Sequence, residues 1–490
     1  MFELVVAPTF LGIDLGTSGL RALLLREDGD VIGAAESHYE ASHPQLGWSE
    51  QDPKHWVQAL ETCVQNLSER YSAFRQITGI GVAGHMHGAT LLDSNDQVIR
   101  PCILWNDTRS HAEAAELDRI PAFREKSGNI VFPGFTAPKL VWVKRHEPEK
   151  FARVAKVLLP AAYLNWYLTG EFVADMSDSA GTSWLDVRAR AWSPELLSAS
   201  HMRIDQMPRL VEGSARAGTL RPELAREWGL GPDVALAGGA GDNAAAACGT
   251  GILTQGQGFV SLGTSGVVLA ARDRYAPDPV SAVHTFCHAV PERWYQMGVM
   301  LSATDGINWL SRITGKRPAD LSAALGEVLQ APSREGFLPY LSGERTPHND
   351  ADIRGAFTGL GIDTEIADLT RSVMEGVAFG LRDSADALKD TGAKLDHMLA
   401  IGGGSQSSYW VKLLATVLNK PLNLPAAGEF GAALGAARLG FCAAAGADPE
   451  SVMTPPKIGQ TIKPDAALVE AFDEAYGKFR ARYPNIKAIQ

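Results

Sequence analysis

The residues best equipped for chemistry in this chain of 490 residues stand in a pentapeptide that occurs twice. Leu15-Gly16-Thr17-Ser18-Gly19 returns as Leu262-Gly263-Thr264-Ser265-Gly266, 247 positions on and close to half the chain length away. Glycines let a main chain come close to an anion, and successive N–H groups with threonine and serine hydroxyls can cradle phosphate oxygens. Only the first copy has a carboxylate beside its amides, because Asp14 stands where the second copy has Ser261. Two facing cradles with one acidic residue describe a site for a polyphosphate and its metal ion.

Each copy is entered and left by a short apolar run, Phe10 to Leu15 and Leu20 to Leu25 in the first, Phe259 to Leu262 and Val267 to Ala271 in the second. Both read as strand, tight turn, strand. An offset of half the chain predicts two copies of one α/β domain, with a cleft between them. The seam falls at Gly238-Gly239-Ala240-Gly241-Asp242-Asn243 and the small-residue helix that follows, which divides the chain into residues 1–246 and 247–490.

Other loops sit where ligands collect in open α/β sheets, beyond the carboxyl ends of strands. Strand Ile77 to Ala83 ends in Gly84-His85-Met86-His87-Gly88. Pro101 to Leu104 delivers Trp105-Asn106-Asp107, an aromatic ring with an amide and a carboxylate, a set that suits a polyhydroxylated ligand. Strand Met398 to Ile401 meets Gly402-Gly403-Gly404, where a nucleotide could lie flat against main chain. Asp52 and Pro53 predict a helix start, with Trp56, Leu60, Cys63, Val64 and Leu67 on one face. Ser110 and Glu113 have capping-box spacing. The longest helix is expected over 365–388, where Gly376 and Gly380 favour close approach of another helix.

Composition narrows the class. Hydrophobic residues make up 45% and charged residues 21%, ordinary values for a globular protein. The net charge of −11, with scattered Lys and Arg, repels a nucleic acid backbone rather than attracting it. Five widely spaced cysteines without a Cys-x-x-Cys pair fit reduced thiols in a cytosol. Glu3 interrupts the first apolar stretch, and no run of about 18 apolar residues occurs, so the expectation is a cytoplasmic protein without membrane association.

The paired hairpins, Asp14, Gly241 to Asn243 and the triple glycine at 402–404 resemble the FGGY carbohydrate kinases of the actin-like ATPase superfamily. The stretch from Gly134 to His146, with Thr136, Lys139 and Trp142 in register, is similar to that family's first signature. Gly355 to Leu360, running on to Asp368-Leu369 and Ser372 to Glu375, is similar to its second. Within the family the match runs nearly end to end with members acting on D-xylulose, including Met86 to Asp93, Ile103 to Asp107 and Leu338 to Pro347. One departure is Ala240, which interrupts a usually unbroken glycine run.

The resemblance implies two duplicated actin-like (ribonuclease H-like) ATPase domains. The first would hold the sugar pocket and one phosphate hairpin, and the second the other hairpin and the adenine site. It implies transfer of the γ-phosphoryl group of ATP to D-xylulose. Asp242 would be the general base, since a carboxylate accepts the alcohol's proton late in such a transfer. Asp14 would hold Mg²⁺ through water, because that ion dehydrates reluctantly. Gly16, Thr17, Ser18, Gly263, Thr264 and Ser265 would bind phosphates, and Gly403 and Gly404 would flank the adenine. Met86, His87, Trp105, Asn106, Asp107, Asp242 and Asn243 would line the sugar pocket. Other acceptors (L-ribulose, L-fuculose, gluconate, glycerol) stay open, as do an actin-like ATP-hydrolysing sensor and a homodimer. Closure of the two lobes over the nucleotide is expected to exclude water.

Overall fold

The structure is a computed structural model and describes residues 7–426 and 431–490; Glu3 lies outside them. Two mixed sheets are built on one plan. In the first, Thr9–Leu15 and Gly19–Arg26 form an antiparallel hairpin, extended by antiparallel Val31–His38. On the other side, Ile77–Gly84 runs parallel to Thr9–Leu15, followed by parallel Ala235–Ala237 and antiparallel Arg216–Thr219 at the edge. In the second, Gly256–Leu262 and Gly266–Arg272 form the hairpin, extended by antiparallel Trp294–Met300 and His284–Cys287. Leu395–Ile401 and Leu422–Pro425 lie parallel on its far side, and Ile458–Ile462 closes the edge. The sequence repeat is therefore a repeat of topology. A parallel neighbour demands a crossover, and helices Pro53–Arg70 and Ile366–Asp390 lie in the two crossovers.

Local signals act as read where nothing competes with them. The Asp52 side chain accepts the Lys54 amide, Pro53 begins the helix, and Trp56, Leu60, Cys63, Val64 and Leu67 are its buried face. Tertiary partners win elsewhere. The Ser110 hydroxyl donates to the Pro133 carbonyl (2.9 Å) and Glu113 accepts from Arg145, so no capping box forms. Gly376 and Gly380 admit strand neighbours rather than a helix. A Cβ on Gly376 would stand 2.4 Å from the Phe337 carbonyl oxygen, and one on Gly380 3.0 Å from the Met300 methyl.

The two sheets are locked together by a helix from the middle of the chain and one from its C-terminal part. Ala432–Ala445 packs on the first sheet so closely that a Cβ on Gly12 or Gly81 would fall 1.9 Å from its Ala433 or Ala436 carbonyl oxygen. Asp242–Thr250 shares an apolar cluster with Phe259, Leu269, Phe286 and Tyr295 of the second sheet. A Cβ on Gly435 would stand 1.8 Å from the Ala245 carbonyl oxygen, so these two helices meet backbone to backbone. Ala240 has strand geometry, paired with Ala83, and the left-handed residue is Gly239 (φ 91°). Among the described residues no helix is long and apolar enough to cross a membrane.

Candidate active site

One strand gathers the acidic groups. The carboxyl end of Ile77–Gly84 pairs with Asp14 and Leu15 on one side, through Ala83 and Gly84, and with Ala240 and Gly241 on the other. Asp14 and the backbone leading to Asp242 thus flank a single strand, roughly 10 Å apart at two inter-strand spacings. Between them His85, Met86 and His87 continue that strand. Asp242 is the first residue of its helix, with Gly241 at the cap position. Among the described residues its carboxylate accepts only from its neighbour Asn243, from the main-chain amide at 2.7 Å and the side-chain amide at 2.9 Å. Burial pushes Asp242 up to about 6, against the lowering by those two bonds. Burial and the nearby Asp242 charge push Asp14 up to about 7, and Arg21 across the hairpin opposes them. No hydrogen bond to the Asp14 carboxylate occurs among the described residues. A lone carboxylate beside a phosphate cradle fits a cation that keeps most of its waters and shares phosphate oxygens.

The first hairpin turns through a bond from the Gly16 amide to the Gly19 carbonyl (2.9 Å). Its carbonyls are taken up by side chains: Tyr39 donates to Gly16 (2.7 Å) and Gln51 to Thr17 (2.6 Å). The Trp105 indole N–H donates to the Thr17 hydroxyl oxygen at 2.9 Å, which leaves that hydroxyl's own proton for a ligand. In the second hairpin Gly263 accepts the amide (2.9 Å) and hydroxyl (2.8 Å) of Thr304, and Thr264 accepts the Ala303 amide. The Ser18, Thr264 and Ser265 side chains are exposed at the two tips.

Met86 lies against Gly241, the residue before Asp242, and His87 follows it in the chain. A Cβ on Gly241 would touch the Met86 side chain, and the His87 ring sends Nδ1 to the Gly181 carbonyl at 2.6 Å. A carbonyl only accepts, so Nδ1 carries the proton and Nε2 is an acceptor. Burial holds His87 down to about 3, so the ring is neutral. Its backbone is left-handed (φ 70°), a strained geometry in a non-glycine residue. Lys139 holds it there: its ammonium donates to the His87 carbonyl (2.8 Å) and the Gly134 carbonyl (2.6 Å), and burial lowers it to about 7.

The three residues 105–107 separate. Trp105 and Asn106 are exposed, whereas the Asp107 carboxylate is fully buried, bound to the Arg109 guanidinium (2.6 Å) and the Ser49 amide (2.6 Å). Asp107 therefore braces the loop, and a buried carboxylate is satisfied by a guanidinium more readily than by a sugar. The sequence marks the acidic, small-residue stretch 175–182 as an insertion near a cleft without assigning it work, and it gives no sign of Tyr295; Asp178 and Tyr295 are both buried near Asp242. Sequence reasoning also missed Thr304. That residue bonds Gly263 and lines a cavity of about 660 Å³ together with Asn308, Met374, Gly403, Gly404 and Tyr409. The cavity adjoins the second hairpin through Thr304 and has room for a purine ring.

A duplicated α/β core with a glycine hairpin in each half, a carboxylate at one and a second carboxylate across the neighbouring strand, defines an actin-like ATPase fold equipped for phosphoryl transfer. Residues 9–249 match the N-terminal domain, and residues 258–444 the C-terminal domain, of the FGGY family of carbohydrate kinases, and the chain belongs to that family. It is 45% identical over 484 residues to a xylulose kinase of Escherichia coli (strain K12), covering 97% of this chain and 99% of that one. Its identity to a xylulose kinase of Klebsiella pneumoniae is 46% over 485 residues, 98% of this chain and 99% of the other. A crystal structure of a xyloylose kinase from Brucella ovis superposes with a TM-score of 0.97 at 57% identity, covering 98% of this chain and 100% of that chain. The chain is thus a carbohydrate kinase, and its family uses ATP.

Proposed function

We propose that this enzyme transfers the γ-phosphoryl group of ATP to the terminal hydroxyl of D-xylulose, giving D-xylulose 5-phosphate and ADP. The bond from the sugar oxygen to the γ-phosphorus forms as the bond from that phosphorus to the β,γ-bridging oxygen breaks. The hydroxyl proton passes to Asp242. The observation that carries the reading is the state of Asp242: a desolvated carboxylate at a helix N-terminus, next to the Gly241 backbone on which Met86 packs, with its basicity raised by burial. A general base works best when its pKa lies near the working pH, and burial moves Asp242 upward in that direction.

Gly16, Thr17 and Ser18 from one lobe and Gly263, Thr264 and Ser265 from the other would grip the phosphates, with Gly403 and Gly404 against the adenine. His87 offers Nε2 to a sugar hydroxyl, Asn243 adds an amide, and Trp105 and Asn106 form the rim. Mg²⁺, held by Asp14 through water, would neutralise charge on the β- and γ-phosphates. We place the seam between the halves at residues 246–247. Closure of the two lobes over the nucleotide would exclude water, which prevents idle ATP hydrolysis. Five free, buried cysteines suit a reducing cytosol.

ADP release measured with a panel of ketoses, alditols and aldonates tests this reading. D-Xylulose is expected to give the highest kcat/KM, and Asp242→Ala to remove the acceleration. No acceleration by any sugar would end the kinase reading of this chain, and a different best acceptor would replace the substrate.

A further inference from the structure

Residues 175–181 form a roof tied near one end to the residue before Asp242 and at the other to the His87 ring. Asp175 starts the segment, its carboxylate accepting the Ser177 amide (2.6 Å) and the Asp178 amide (3.3 Å). The Ser177 hydroxyl accepts the Gly241 amide at 3.1 Å, which fastens the segment to the residue before Asp242. Gly181 at its other end accepts His87 Nδ1. Between these fixed points stands Asp178, 1% exposed, and neither of its carboxyl oxygens has a hydrogen-bond partner among the described residues.

The contrast with Asp175, three residues away and equally buried, is informative. A carboxyl kept only to hold a fold is hydrogen-bonded, because an unpartnered buried one is costly. Asp175 meets that rule and Asp178 does not. The groups around Asp178 belong to the site. It feels the charges of Asp175 and Asp242, and the Tyr295 hydroxyl, reaching in from the second lobe, feels all three carboxyls. That hydroxyl lies 3.8 Å from the Met86 sulphur. The Met86 chain itself bridges the roof, its methyl 2.9 Å from where a Gly181 Cβ would stand and its sulphur 3.1 Å from where a Gly241 Cβ would. A thioether with three rotatable bonds is the side chain most able to move aside for a ligand. Burial, Asp175 and Asp242 together hold Asp178 well above the usual carboxylate range, which favours its neutral form. A neutral carboxyl offers one donor and one acceptor, the complement of a sugar hydroxyl.

We propose that Asp178 is a sugar-binding, specificity-determining residue, whose carboxyl hydrogen-bonds an oxygen of the bound ketose other than the hydroxyl presented to Asp242, once Met86 has moved aside. This rests on reading the chain as a ketose kinase.

Steady-state kinetics of Asp178→Leu and Asp178→Asn, varying D-xylulose at saturating ATP and then ATP at saturating sugar, test it. Asp178→Leu should raise the KM for D-xylulose about 10- to 100-fold and leave the KM for ATP within about twofold. Asp178→Asn, which keeps a donor and an acceptor, should recover most of that loss but change the preference for D-xylulose over its C3 epimer about fivefold or more. Wild-type enzyme inactive on D-xylulose would overturn the substrate reading itself. Active wild type with Asp178→Leu unchanged in sugar KM, or with both KM values raised alike, would overturn the role of Asp178. If Asp178→Leu shows no cooperative melt, Asp178→Asn decides, and an unchanged sugar KM together with an unchanged epimer preference overturns the proposal.

Discussion

Gly16–Gly19 and Gly263–Gly266 close hairpins with the same pairing, antiparallel within and parallel to the next strand, yet their surroundings have diverged. The first is held through side chains, Tyr39, Gln51 and Trp105, and carries Asp14 at its base. The second is held through the amides of Ala303 and Thr304, at the start of a helix that lines the nucleotide-sized cavity. A backbone cradle has no sequence preference beyond small residues, so duplication preserves it. Side-chain partners are free to change, and on the proposed reading they fit one copy to the reacting end and the other to the adenine end.

Substitutions separate these roles, and the residue shared by both lobes should show the greatest loss. Asp242→Asn should lower kcat about 10²- to 10⁴-fold with the KM for ATP unchanged, since an amide cannot take the proton. A loss under tenfold in a coupled ADP assay would remove Asp242 as base. Asp14→Asn should lower kcat about 10²-fold and raise the Mg²⁺ concentration needed for half-maximal rate, while Ser261→Ala, at the matching position, should do neither. Equal effects at the two positions would break the asymmetry of the hairpins.

Acidification tests the same division. Burial raises Asp242, so its active, ionised form is lost as pH falls through about 6, and kcat/KM should drop about tenfold per unit below that. A profile flat to pH 5 would contradict it. Smaller effects should distinguish the hairpins most finely. Trp105→Phe removes one hydrogen bond to Thr17, worth about 1 kcal/mol, and should cost about fivefold in kcat/KM for the sugar. Thr304→Val should instead raise the KM for ATP by a similar factor and spare the sugar. An exchange of these two outcomes would reverse the assignment of the two ends.

Much of this was legible before any coordinates. The hairpins and the parallel strands 77–84 and 395–401 announce themselves through apolar runs broken by glycine, because backbone geometry is dictated locally. The long helix appears where its apolar stripe predicts it, within two residues at each end. Asp14 and Asp242 stood out because each is a carboxylate set among glycines and small residues, a context with few structural uses. Asp107 shows the limit. Its type and place beside Trp105 suit a sugar, but Arg109 two residues on claims it, and only packing reveals which partner is nearer. The capping box at Ser110 failed for the same reason, since a distant carbonyl offered the hydroxyl a better bond.

The chain by itself determined the duplication, the two cradles, the single acidic hairpin and the family, all of which depend on residue type and spacing. Tertiary structure decided what those residues face. It set Asp14 and Asp242 on either side of one strand end, gave His87 a fixed proton through Gly181, and left Asp178 buried without a partner. It also crossed Ala432–Ala445 onto the first sheet, through contacts between segments hundreds of residues apart. Proximity of that kind leaves no periodic trace in a sequence, because it follows from how sheets and helices pack and not from which residues are neighbours along the chain.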